Sequence, residues 1–332
     1  MSRPTVVVLG AGVVGAACAR ELADAGARVR VVDPGAGRAA ASWAAAGILS
    51  PSHPEQLPDA VHDLGARSLE LWADLGRRHP RVELRRTGLV LLGNEPDWID
   101  WRRARGLDQE ALTWRAAGGG ARADAVRFPE VATVRTPRVA GALLDELVVE
   151  RTAPASLDAL RAQADVVVIA TGAWAGDALE ELGIDIEVAP RRGQMMLFAS
   201  GDLDAVVMEP ATGYLAVPRA DGRVVVGTTL EDVGFAPETV PEDLAGMEAW
   251  ARRTVPALGE AEDAWAGFRP WSSRATPTIA EVATGLVVAV GHFRNGLLLA
   301  PATGELVADL VLGRSPRVAP EPFSAHPGPD TR

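Results

Sequence analysis

The sequence predicts an α/β protein: a doubly wound, Rossmann-like parallel sheet into which an antiparallel sheet is inserted. Three stretches predict it. Residues 6–33, VVVLGAGVVGAACARELADAGARVRVVD, read as a buried strand, a glycine turn, a helix and a second strand. Residues 165–174, DVVVIATGAW, read as a fully apolar strand opening into a helix, the form of a returning parallel strand. Between Ala189 and Gly227 the period changes to the alternation of antiparallel strands.

Each part of the first unit has a physical task. Gly10 permits the tight turn, Gly12 lets the backbone approach a pyrophosphate, and Gly15 allows the helix to pack closely, while the helix N-terminus offers free N–H groups to an anion. Asp33 lies 18 residues after Gly15 at the end of the second strand. Its carboxylate is placed to accept hydrogen bonds from ribose hydroxyls, which favours a dinucleotide without a 2'-phosphate.

The segment ASWAAAGILSP at 41–51 is small and apolar, suited to lining a flat ligand with backbone. A helix is expected from about Pro58 to Arg78, with Leu64, Leu71, Trp72 and Leu75 as core at helical spacing. Residues 82–92 read as two short strands, and Gly118 to Gly120 mark a loop in a Trp- and Arg-rich region whose Trp98, Trp101 and Trp114 are expected to pack. Leu143 to Glu150 and Asp165 to Ala170 read as strands, with a helix from Trp174. Turns such as Ala220-Asp221-Gly222 separate the strands of the inserted sheet. At the far end, LVVAVGHFRNGLLLAPATGELVADLVLG (286–313) gives a strand stopping at Gly291, a polar bend, and a helix from near Ala300 to just before Gly313. The expected organisation is discontinuous: a nucleotide domain from 1–60, 125–190 and 268–332, and a substrate domain from 61–124 and 190–267.

Composition narrows the function. With 332 residues and 48% hydrophobic content the chain can bury a sizeable core in two domains, or in one with a large insertion. A net charge of -11 argues against nucleic acid or an anionic membrane as partner. All 33 basic residues are arginine, so there is no lysine for a Schiff base, pyridoxal phosphate included, or for a P-loop. Cys18, the single cysteine, excludes an intrachain disulfide and points to a reducing compartment. No signal-like segment and no apolar run approaching about 20 residues is visible, so a cytoplasmic protein is expected. His53, His62, His79 and His326 lack metal spacing, so no metal is expected, and no G-x-S-x-G hydrolase signature is present. A homo-oligomer stays open, because nine tryptophans do not specify an interface.

The motifs LGAGVVG, AAAGILSP, ATGAW, PRRGQ, YLAVPRADGRVVVGTTLED, GFRP and GHFRNGLLLAPATGELVADL occur in that order over most of the chain. In them the chain resembles the glycine oxidase and D-amino acid oxidase family of FAD-dependent amine oxidases, in particular the glycine oxidases linked to thiamine biosynthesis. The resemblance implies an FAD-binding Rossmann-like domain with an antiparallel-sheet substrate domain. It places the diphosphate at Val13 and Val14, the ribose at Asp33 with Pro34 beside it, and the flavin against Ser42, Ala45, Ala46, Gly47 and Ile48. Thr171, Gly172 and Trp174 join this set, Val149 falls on the adenine side, and His292, Phe293, Arg294, Asn295, Gly296, Leu297 and Leu298 close over the far edge of the flavin. FAD is expected to be non-covalent, since Cys18 lies in the nucleotide-binding helix.

By the same resemblance the substrate is a small amine carrying a carboxylate, such as glycine, sarcosine or a D-amino acid. Hydride passes from the carbon bearing the amine to flavin N5, and O2 is the acceptor, giving imine and H2O2. Arg269 in GFRP matches the carboxylate-binding arginine, a role suited to a planar bidentate fork. Arg294 matches a second arginine near substrate and flavin, and His292 is read as a packing element of that loop. Tyr214, the only tyrosine, falls in the strand where the family carries a substrate-contacting tyrosine, but four residues before Pro218 instead of three. Trp43, Trp271, Arg274 and a short 151–164 segment also depart from the family pattern and would alter the pocket. Three rivals remain: a dehydrogenase or oxidase of a specialised amine or cyclic imino acid, a non-catalytic flavin-binding subunit, and an NAD-dependent dehydrogenase, which leaves GHFRNG unexplained.

Overall fold

Runs of β-branched residues build two large sheets, and the helices that follow glycine turns make the first of them parallel. The computed structural model describes residues 3–51, 58–93, 96–115, 122–153 and 156–325, without the side chains of 96, 98, 122 and 123. In the first sheet Val148–Glu150, Arg28–Val32, Thr5–Leu9, Val166–Ile169 and Leu286–Val290 lie side by side and parallel, and Thr278–Ala283 closes the far edge antiparallel. The helices Val13–Asp24, Thr136–Leu143 and Gly296–Leu312 cover one face and Leu157–Arg161 and Ala175–Glu181 the other. This is a doubly wound sheet, and the strand ends that carry the glycine turns open on one crevice.

The C-terminal helix is almost wholly buried, from Leu297 to Asp309. It begins at Gly296, a turn earlier than the expected Ala300, because the structure supplies substitutes for what Pro301 removes. Proline has no N–H to give the carbonyl four residues back, and Leu297 O instead accepts from the Trp72 indole at 3.2 Å. The Ala302 N–H donates to the Ser68 hydroxyl at 3.2 Å. Trp72 and Ser68 both stand on the helix Asp59–Arg78, where Leu64, Trp72 and Leu75 are buried as expected and Leu71 is partly so. A second difference lies at 143–147. Thr136–Leu143 is a helix, with Pro137 at its start and Val139, Ala142 and Leu143 turned inward at helical spacing, so the strand is only Val148–Glu150.

The second sheet has eight strands, in the order Ala261–Trp271, Ala189–Phe198, Val224–Gly227, Tyr214–Pro218, Val206–Glu209, Leu89–Leu92, Arg122–Phe128, Glu110–Arg115. It is antiparallel except where Val206–Glu209 runs parallel to Leu89–Leu92. The expected split at residue 125 is therefore displaced: residues 125–128 belong to this sheet, and so does the strand that carries Phe268 to Trp271. One face packs on the helix Pro241–Thr254 through Met196, Phe198, Ala216 and Val226 against Met247 and Trp250. The opposite face looks toward residues 40–48, and a bridge pairs Ala40 with Phe268.

Of the sequence-stretch tryptophans, Trp101 packs edge-on against His62 with Arg105 over its ring, and the Trp114 indole donates to Thr254 O. The Trp98 side chain, His53, His326 and Gly118 to Gly120 lie outside the described residues. Among the described residues no helix is long and apolar enough to cross a membrane, and no three His, Cys, Asp or Glu side chains gather as metal ligands.

Candidate functional site

At the end of Thr5–Leu9 the chain turns through Gly10, at φ +108°, and enters the helix at Val13. A side chain on Gly10 would overlap the Ala170 carbonyl, and one on Gly15 would overlap Gly10 O, so the turn is packed to backbone contact. The Asp33 carboxylate accepts from the Ala11 and Gly35 N–H groups, and Arg151 Nη1 lies 3.7 Å from it. Asp33 thus braces the turn from the second strand as well as facing the crevice. The Ser42 hydroxyl accepts from the Val13 N–H at 2.8 Å, which leaves its own proton for an anion at the helix N-terminus. The Thr171 hydroxyl is buried in the same wall and has no hydrogen-bond partner among the described residues. A backbone cradle at a helix N-terminus with an orphaned hydroxyl beside it fits a dinucleotide.

The far wall is the GHFRNG bend. The Phe293 N–H donates to Pro270 O at 2.9 Å and the Asn295 N–H to His292 O at 3.0 Å, folding the segment across the crevice before the helix begins. His292 is buried, 3.1 Å from the Thr303 hydroxyl, and burial pushes its pKa down to about 3. It is a neutral packing residue in this setting.

Arg269 enters from the second sheet. Its Nη2 donates to Thr228 Oγ1 at 2.6 Å, and its Nη1 to Thr229 O at 3.1 Å and Arg192 O at 3.3 Å. The guanidinium lies over Gly193, where any side chain would collide with it. Beside it the pairings Met208–Leu215, Leu215–Gly227 and Met195–Gly227 put Met195, Met208 and Leu215 on one sheet face, and all three line the cavity. Arg294 lies on the GHFRNG side, with its guanidinium 5.4 Å from the Phe293 ring centroid.

These groups surround one cavity of about 970 Å³. Its walls carry Gly10, Gly12, Val13, Val14, Asp33, Pro34, Ser42, the stretch from Ala45 to Ile48, Thr171, Gly172 and Trp174. They also carry His292 to Leu298, Arg269 and Tyr214. Gly15 acts from behind, through the Gly10 carbonyl. Val149 is not on the wall: it pairs with Val31 and packs toward the core, and Arg151 reaches the cavity instead.

Tyr214 sits at the cavity edge, but its ring packs edge-on against Trp250, 5.9 Å between centroids, on the helix-covered face. Leu215 takes the cavity face with Ala46 and Ile48. Trp43 lines the wall but lies edge-on to Trp265 beneath Arg38, while Trp271 packs under Arg191 and Arg274 holds Ser324 O. Neither Trp271 nor Arg274 reaches the cavity. Gly193, in PRRGQ, and Thr228 and Thr229, just past the strand of VVVGTTLED, carry no chemical signal of their own in the sequence, yet the fold sets them beside Arg269.

Comparison with known proteins gives a consistent result. A family model described as FAD dependent oxidoreductase, DAO, matches residues 5–310. Curated glycine oxidases from Pseudomonas aeruginosa and Pseudomonas putida are 35% and 34% identical, each over 96% of this chain and 98% and 97% of their own lengths. The crystal structure of glycine oxidase from Geobacillus kaustophilus superposes with a TM-score of 0.86 at 26% identity, over 99% of this chain and all of that one.

Proposed function

The chain belongs to the DAO family of FAD-dependent oxidoreductases, and within that family we propose that it is an oxidase of a small amine carrying a carboxylate: glycine, sarcosine or a small D-amino acid. The observation that carries this reading is Arg269, set on the wall of the cavity that also holds the glycine turn, with its guanidinium oriented by Thr228, Thr229 and Arg192. A planar, permanently charged fork held by fixed acceptors is the side chain best suited to fix a carboxylate.

Bound FAD supplies the two-electron acceptor. The chain's own residues do the rest. The Ser42 hydroxyl, oriented by the Val13 N–H, and the Thr171 hydroxyl fit the cofactor's polar groups, and the small residues 44–47 give a flat surface for its ring. Arg269 anchors the substrate carboxylate, while Met195, Met208 and Leu215 keep water from the amine-bearing carbon and favour the neutral amine. Arg294 adds positive charge at the opposite wall. Non-covalent FAD is supported by Cys18, which is buried in the first helix and whose thiol burial raises to about 12.

Anaerobic mixing of the purified protein with glycine, sarcosine, D- and L-amino acids and D-proline tests the proposal through the oxidised flavin band. Bleaching by the small carboxylated amines is expected, with H2O2 formed on readmitting air. Flavin that dithionite reduces but no member of the panel bleaches would overturn it.

A further inference from the structure

Behind Arg269 lies a buried polar cluster that the proposed reaction does not itself use. Gln194 is fully buried, and every polar atom of its amide is engaged: Nε2 donates to Glu231 Oε1 at 2.8 Å and Asp243 Oδ2 at 2.7 Å, and Oε1 accepts from the Val240 N–H at 2.6 Å. Arg192, 5% exposed, donates through Nε and Nη2 to Glu231 Oε2 and through Nη1 to Glu238 O at 2.7 Å. The Thr229 hydroxyl donates to Glu231 Oε1 and accepts from the Gln194 N–H at 3.0 Å. Arg192 and Glu231 also exchange both backbone hydrogen bonds, each at 3.0 Å, as an isolated bridge beyond the end of the strand Val224–Gly227. Burial alone would raise the Glu231 carboxyl, but the hydrogen bonds from Arg192, Thr229 and Gln194 outweigh it and hold the group below its usual range.

The acceptors described above for Arg269 belong to residues 192, 228 and 229. Glu231 is the group that ties two of them together, and the Thr228 hydroxyl in turn donates to Thr229 O at 3.2 Å. We infer that Glu231, with Arg192 and Gln194, is a positioning residue for the carboxylate anchor: it fixes the 228–229 ledge against residue 192 and so sets the direction of the Arg269 fork. A buried charged cluster is a poor source of net stability but a good source of unique geometry. The inference rests on the reading of Arg269 as carboxylate anchor.

The test uses flavin-loaded enzyme and acetate, a carboxylate with no amine to oxidise, titrated against the flavin spectrum, alongside steady-state kinetics with glycine. For Glu231→Ala the Kd for acetate and the KM for glycine are expected to rise at least tenfold while kcat stays within threefold. Glu231→Gln, which keeps an acceptor for the Thr229 hydroxyl, is expected to recover at least half of that loss on a logarithmic scale. A folded, flavin-loaded Glu231→Ala enzyme with Kd and KM within twofold of wild type would overturn the inference. So would equal losses in KM and kcat accompanied by lost flavin, the signature of a general structural role. Should Glu231→Ala not fold, Thr229→Val removes the same hydroxyl contact; a threefold or larger rise in Kd is expected, and an unchanged Kd overturns the inference. Arg269→Ala separates the two readings. If it leaves acetate binding unchanged, the anchor itself is wrong; if it abolishes binding and the Glu231 variants do not, only the positioning role is.

Discussion

The glycine-turn end and the proposed substrate end of the cavity are built by opposite means. Around residues 10–15 the wall is made by leaving side chains out, so that turn, helix terminus and neighbouring strand meet backbone to backbone. Around Arg269 the wall is made by side chains that arrive from four strands and from the turn after a fifth, fixed by pairings between distant residues. The first kind of site is defined by a run of a few residues and tolerates no added atom. The second is defined by register, and a shift of one residue exchanges the face.

The largest effect should come from breaking the first kind. Gly15→Ala drives a methyl into the Gly10 carbonyl, and overpacking of this sort costs at least about 1–3 kcal/mol before the turn is displaced. The expected outcome is protein purified with less than a tenth of the wild-type flavin-to-protein ratio, read from absorbance. Near-normal flavin content would show that the turn yields more readily than its packing implies.

At the substrate end, Arg269→Ala should leave flavin content intact and raise KM for glycine by roughly a hundredfold, corresponding to about 2.7 kcal/mol of lost charge-assisted hydrogen bonding. A loss of flavin in this variant would mean the two ends are not separable. For His292, held beside Thr303, the effect is set by pH. Its folded pKa is lowered from 6.5 to about 3, so between these values the unfolded chain binds a proton that the native chain refuses, and stability falls as pH drops through that window. His292→Asn should therefore lose less stability than wild type between pH 6.5 and 4.5, by up to about 2.7 kcal/mol, measured by denaturant unfolding at each pH. The smallest effect is expected from Tyr214→Phe. Its ring faces Trp250, so KM should stay within twofold of wild type; a tenfold rise would show that the hydroxyl reaches the substrate after all.

The same contrast explains what could be read in the sequence. The glycine turn, Asp33 and the GHFRNG bend stand out in the sequence because each is marked within its own short segment or at a segment end, whereas Ser42, which acts on Val13 from 29 residues away, came only from the resemblance. The strands Thr5–Leu9, Arg28–Val32, Val166–Ile169 and Leu286–Val290 followed for the same reason as the glycine turn, whereas the helices Thr136–Leu143 and Leu157–Arg161 and the edge strand Thr278–Ala283 did not. Thr228, Thr229 and Gly193 were not legible, since their importance arises only when Ala189–Phe198 pairs with Ala261–Trp271 and brings Gly193 beneath Arg269. The one-residue offset of Tyr214 from Pro218 was visible, and the register places Leu215 on the cavity face. The early start of the last helix was hidden for a related reason: the groups that replace the contacts of Pro301 stand on another helix, at Trp72 and Ser68. Val149 has no local feature that marks it, since only the resemblance supplied its position, and it stands behind the cavity wall in the pairing with Val31.

The helix Gly296–Leu312 packs against Val13–Asp24 and Asp59–Arg78, so the N-terminal unit finds its main apolar partner near the other end of the chain. During synthesis the face of the first helix around Ala17, which meets Gly304, therefore stays without its partner until almost all of the chain has left the ribosome. Contacts of such long sequence separation slow folding and leave sticky intermediates, so this protein's yield in cells should depend on chaperone supply more than its final stability suggests.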